Sequence, residues 1–99
     1  MTEAQTVSWI FLATALASQK GAVRTEEIIH VADFINRAIP TYKEMSMSLR
    51  RLIEEGYLDK TGKKYMLTER GKHEYELAST GRQELFKIWA ALEDRLEAC

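Results

Sequence analysis

LRRLIEEGYLDKTGKKYMLTERG, residues 49 to 71, is the stretch whose reading decides the architecture of this chain. It begins as the end of an amphipathic helix, with Leu49, Leu52 and Ile53 on one side and Arg50, Arg51 and Glu54 away from them. Gly56 then supplies the left-handed position that stops a helix. Two short runs follow around Thr61-Gly62, which reads as a two-residue hairpin turn pairing Leu58 with Tyr65. That phase puts Leu58, Tyr65 and Leu67 on the core side and Lys60, Lys63 and Lys64 at the tip. Thr68 has the chemistry of an N-cap and opens a further helix that runs to about Leu77.

Upstream, Trp9, Leu12, Ala13, Leu16 and Ala17 recur at helical spacing, which predicts a mostly buried first helix over 6–19, with Ile10 and Phe11 widening its stripe. Lys20-Gly21 ends it, and Ala22-Val23-Arg24 is long enough only for a stub of strand. Thr25 is expected to cap the second helix, with Glu26 and Glu27 in the first turn, where negative charge suits the helix dipole. Ile28, Val31, Ala32, Ile35 and Ile39 form its expected inner face. Ile29 and Phe34 fall off that face, so one of them should meet another part of the fold or a partner.

Ala38-Ile39-Pro40 is a tight turn, because the residue before proline is pushed out of helical geometry. Thr41-Tyr42-Lys43-Glu44 fits a capping box and starts the third helix. On that helix Tyr42, Met45, Leu49, Leu52 and Ile53 point inward, while Lys43, Glu44, Met47, Arg50, Arg51 and Glu54 point away or flank. Beyond the hairpin, Ser79-Thr80-Gly81 breaks the chain, and Thr80 to Gln83 reads as a capping box for a last helix. The pattern is a single mainly α domain with a small antiparallel β-hairpin, its body over 1–78 and an added C-terminal helix over 79–99.

The spacing L-x-x-L-x-x-x-G-Y-L (Leu49, Leu52, Gly56, Tyr57, Leu58), followed by Y-x-L-T-x-x-G (Tyr65, Leu67, Thr68, Gly71), resembles the winged helix-turn-helix of MarR-like and PadR-like bacterial regulators. The resemblance covers roughly residues 25 to 72 and implies a DNA-binding transcriptional regulator, with the third helix in the major groove of double-stranded DNA. Thr41 and Lys43 would then contact phosphate, Ser46 and Met47 base edges or a thymine methyl, and Arg50 or Arg51 guanine or phosphate. The wing residues Lys60, Lys63 and Lys64 would lie along the backbone. A protein-interaction module on the same fold is the alternative, docking through Met47, Phe34 or the Trp89 stripe. That stripe, Leu85, Ile88, Trp89, Leu92 and Leu96, either packs on the chain's own first helix or forms a homodimer interface; similar regulators often dimerise through terminal helices, and the resemblance favours the dimer.

Charge is balanced overall, 14 Lys and Arg against 15 Asp and Glu, but not evenly spread. Residues 37 to 72 hold nine basic and five acidic side chains, whereas both flanks are acidic. A basic middle is the electrostatic footprint that duplex binding needs, although the same surplus also describes a solvated helix face and hairpin. His30 and His73 have no zinc-ligand spacing, and Cys99, the one cysteine, leaves no internal disulfide, so neither metal nor cofactor is expected. No phosphate loop, nucleophile elbow or carboxylate pair argues for an enzyme. With no apolar run of bilayer length and no basic leader before the first helix, a cytoplasmic protein without membrane contact is expected.

Overall fold

The computed structural model describes residues 1–97, so the reading made for Cys99 lies outside it. The described chain runs α1 (Glu3–Ala17), α2 (Thr25–Asn36), α3 (Tyr42–Glu54), β1 (Leu58–Thr61), β2 (Lys64–Leu67), α4 (Glu69–Ser79) and α5 (Leu85–Glu97). No helix among the described residues is long and apolar enough to cross a membrane.

α1 is the axis of the molecule. Every residue from Thr6 to Ala15 is buried, as befits a helix that is apolar nearly all round and is enclosed by α2, α3 and α5, with β2 and α4 also against it. It starts a turn earlier than the apolar period suggests, because Thr2 and Gln5 form a capping box: the Gln5 amide donates to Thr2 Oγ1 at 3.1 Å and the Thr2 amide to Gln5 Oε1 at 2.8 Å. Hydroxyls buried along it are satisfied within the helix, Thr14 donating to the Ile10 carbonyl at 2.8 Å and Ser8 to that of Ala4 at 2.7 Å.

The stub before α2 is a backbone bridge, the Val23 and Tyr65 amides each donating to the other's carbonyl at 2.8 and 2.7 Å. This bridge keeps the chain extended as far as Arg24, so Arg24 and not Thr25 occupies the N-cap, and the Thr25 hydroxyl donates to Glu26 instead. α2 ends at Arg37 in the left-handed region at φ 54°. Ile39 therefore lies beyond the helix, where the 3.6-residue period no longer applies, and it is 70% exposed rather than buried. Tyr42 also departs from its expected inward position, at 88% exposed in the first turn of α3, where it lines an open cleft beside buried Pro40.

The motif residues close a compact joint between α3, the hairpin and α4. Gly56, at φ 82°, ends α3 in a Schellman turn, its amide donating to the Ile53 carbonyl at 3.0 Å and that of Tyr57 to the Leu52 carbonyl at 2.9 Å. Thr68 caps α4 through the Gly71 amide at 3.0 Å while its hydroxyl donates to the Gly56 carbonyl at 2.6 Å. In the hairpin Leu58 pairs with Leu67, Lys60 with Tyr65 and Thr61 with Lys64, so the loop is Gly62-Lys63 rather than Thr61-Gly62. Gly62 at φ 63° supplies the positive φ that the first loop position of a tight hairpin requires. The slip is by two residues in pairing, which preserves the side of every residue, and Leu58, Tyr65 and Leu67 are buried as their alternation requires.

Thr80 closes α4, its hydroxyl donating to the Glu76 carbonyl at 2.6 Å, and does not cap the last helix, which begins only at Leu85. The stripe on α5 turns inward. Ile88, Trp89, Leu92 and Leu96 are buried and Leu85 half-buried. Trp89 Nε1 donates to the Gln5 carbonyl at 2.9 Å and to Ser8 Oγ at 3.1 Å, and its ring stacks on Trp9 at 6.2 Å. Of the two arrangements open to these five residues, packing on α1 is the one seen within the single chain. An ion pair between Arg95 and Glu74 ties α5 to α4 as well.

Candidate nucleic-acid interface

α3 divides as an amphipathic helix should. Met45, Ser48, Leu49 and Leu52 are buried, and at 100° per residue the arc farthest from them carries Lys43, Met47, Arg50 and Glu54. Lys43, Arg50 and Glu54 are exposed; Met47 is half-buried at the edge of the apolar core. Ser46 is half-buried, its hydroxyl donating to the Lys43 carbonyl at 3.3 Å.

Thr41 and Glu44 hold each other at the start of the helix: the Glu44 amide donates to Thr41 Oγ1 at 3.0 Å and the Thr41 amide to Glu44 Oε1 at 2.9 Å. The capping box thus draws the Glu44 carboxylate back onto the helix end and leaves Thr41 its own hydroxyl hydrogen to donate outward.

The two arginines, equivalent in sequence, are not equivalent in space. Arg51 reaches the N-terminus of α1, where Nη1 meets Glu3 Oε2 at 2.9 Å, and Nε lies 3.5 Å from Glu55 Oε1. Arg50 is exposed and enters no ion pair among the described residues. At the hairpin, Lys63 and Lys64 are exposed, and Lys60 places its ammonium 5.6 Å from the centre of the Tyr65 ring. Lys60 and Tyr65 share a face because they are directly paired across the strands.

Between α2, α3 and the hairpin lies a cleft of about 610 Å³. It brings together Ser46 and Arg50 of the expected α3 set with Lys60 of the hairpin; Lys63 and Lys64 stand outside its lining. The chain matches no protein-family model, no curated protein and no solved structure.

Several residues of this surface escaped sequence reasoning. Tyr42 and Glu54 line the cleft beside Arg50, and Ile29 forms part of its α2 wall. Ile29 had a visible signal, its place off the inner face of α2; Tyr42 had none, since its spacing matched the core positions. Phe34, also off that face, is 74% exposed. Burial beside the α4–β2 groove raises the pKa of Tyr75 above its ordinary 10.0.

Proposed function

We propose that this chain is a DNA-binding transcriptional regulator of the winged-helix type, with α2 and α3 as its helix-turn-helix and the β1–β2 hairpin as its wing. The observation that carries the reading is that Arg50 on α3 and Lys60 on the hairpin border one cleft, with Lys43 exposed on the same outward arc as Arg50. A helix fits the major groove, where an arginine reads the paired acceptors of guanine, and lysines beside it neutralise phosphates. The surplus of positive charge over residues 37 to 72 supports the same assignment. Arg50 is the base-reading candidate and Arg51 the structural one, because Arg51 is occupied by Glu3 and Glu55.

Fluorescence anisotropy with random and genomic duplexes at about 50 mM salt, where the electrostatic contribution is strong, is the direct test. Arg50→Gln should relax preference at one base position by roughly 1 to 3 kcal/mol, whereas Arg51→Gln should leave preference unchanged. Replacing Lys63 and Lys64 by alanine should weaken binding to every duplex and flatten its salt dependence by about one unit for each phosphate no longer neutralised. Wild-type protein that binds neither duplex ends the proposal.

A protein-contact module is the second reading, and a different observation favours it. Phe34, Ile39 and Tyr42, spread along α2, the turn and the start of α3, are 74%, 70% and 88% exposed. Large exposed apolar side chains suit a protein partner better than a phosphate backbone. Substituting Phe34 and Ile39 by serine should leave duplex affinity untouched if α3 and the wing carry it.

A further inference from the structure

The outer face of α2 carries both a knob and a hole. Phe34 projects from it at 74% exposed, and no ring among the described residues stacks on it. Toward the N-terminus of the same helix, Glu26, Glu27, His30 and Val31 enclose a shallow groove of about 350 Å³, with Ala17 of α1 at its side. Val31 and Ala17 are only half-buried, so apolar surface there is still open to water. At 100° per residue the mean direction of the four α2 residues lies within about 20° of that of Phe34. Knob and groove therefore share one line along the helix, their centres about 8 Å apart.

The same face is charged at its two ends. Glu26 and Glu27 stand in the first turn and Arg37 at the C-cap, all three exposed and none in an ion pair among the described residues. Arg37 holds a left-handed position, φ 54°, that glycine adopts more readily, so a cation is kept there at a local cost. A helix face with a knob, a hole and opposite charges at its ends is complementary to its own reversed copy.

We infer that α2 pairs with α2 of a second copy of this chain, antiparallel about a two-fold axis passing near Val31. Phe34 of each copy seats in the groove of the other, and that register sets Glu26 of each copy opposite Arg37 of the other. A parallel pair would bring Glu26 beside Glu26 and leave both grooves empty, so charge selects the antiparallel one. The pairing uses neither terminal helix and is independent of the function proposed above: Thr25 and Ile29, which line the cleft with Arg50 and Lys60, lie on roughly the opposite side of α2. One helix of 12 residues from each copy makes a contact below the roughly 1,200 Å² of stable complexes. The dimer should therefore have a Kd on the order of tens of micromolar and dissolve on dilution.

Sedimentation equilibrium of the full chain, from about 5 to about 500 µM, tests this by spanning that Kd, and the mass should rise from that of one chain toward that of two. Phe34→Ser, at an exposed position, should weaken association at least about tenfold, while Lys87→Gln on α5 should not. Glu26→Lys and Arg37→Glu should each weaken self-association about fivefold, with unchanged thermal melts for the monomer. Mixed in equal amounts, the two variants should associate about as strongly as wild type, because in the mixed pair each reversed charge meets its opposite. A chain still monomeric at the highest concentration, association indifferent to Phe34→Ser, or a mixture no stronger than its separate variants would each overturn the pairing. Duplex bound by a strictly monomeric chain refutes the pair and leaves the DNA reading intact; a dimer of this register that binds no duplex does the reverse.

Discussion

Alanine in place of Gly71 should destabilise the chain by about 2 kcal/mol, although glycine to alanine inside a helix ordinarily stabilises by about 1 kcal/mol. Gly71 is in the first turn of α4 and is not among the glycines at positive φ, so backbone strain plays no part. The obstacle is space: a Cβ at this position would lie 2.1 Å from the carbonyl oxygen of Tyr57, well inside the roughly 3.5 Å at which heavy atoms attract. Neither side can step aside cheaply. Tyr57 is fully buried, its ring stacks on Phe11 at 5.6 Å, and the crowded carbonyl accepts the Thr68 amide at 3.1 Å. Moving α4 off the joint costs about 2 kcal/mol as over-packing and about 1 kcal/mol for the weakened hydrogen bond, and helix propensity offsets about 1 kcal/mol of that. Urea unfolding followed by the fluorescence of the buried Trp9 and Trp89 measures it. Gly62→Ala is the comparison, with open space around it but φ at 63°, and strain alone should cost it about 1 kcal/mol. A Gly71→Ala chain as stable as wild type, with an unchanged denaturant slope, would refute the close approach of α4 to Tyr57.

Leu92 on α5 is fully buried, so Leu92→Ala should lose about 2 to 5 kcal/mol in urea melts; a well-folded variant whose only change is in light-scattering mass would return the stripe to an intermolecular interface. Ser48 is buried on α3 with no hydrogen-bond partner for its hydroxyl among the described residues, and Ser48→Ala should be neutral or stabilising by about 1 kcal/mol. A loss of that size in the same assay would show that the hydroxyl has a partner. Tyr75 should make the fold sensitive to alkali: with its pKa raised above 10.0 by burial, the unfolded chain ionises first, so stability present below pH 10 declines as pH rises through and beyond it. Thermal melts across that range should show a shallower decline for Tyr75→Phe, and an identical decline would remove Tyr75 as its source.

Much of this molecule is local and therefore legible in one dimension. Helix existence follows from apolar period, the α3 start from a threonine and glutamate three apart, the α3 stop from Gly56, and the sides of the hairpin from alternation, because each depends on residues within a turn or two of one another. The hairpin pairing is less tightly specified, since parity is unchanged by a slip of two and only the positive φ of Gly62 selects the loop. What the tertiary structure alone decided are the questions of which neighbour covers an apolar stripe and which of two like charges is left outside. The α5 stripe reads the same whether it meets α1 or a second chain, and within this chain it is the indole of Trp89 that reaches Gln5 and Ser8, more than eighty positions away. Arg50 and Arg51 are distinguished by Glu3, which only folding brings beside one of them. The cleft belongs to the same class, because an unfilled volume is a property of three elements meeting and of no segment by itself.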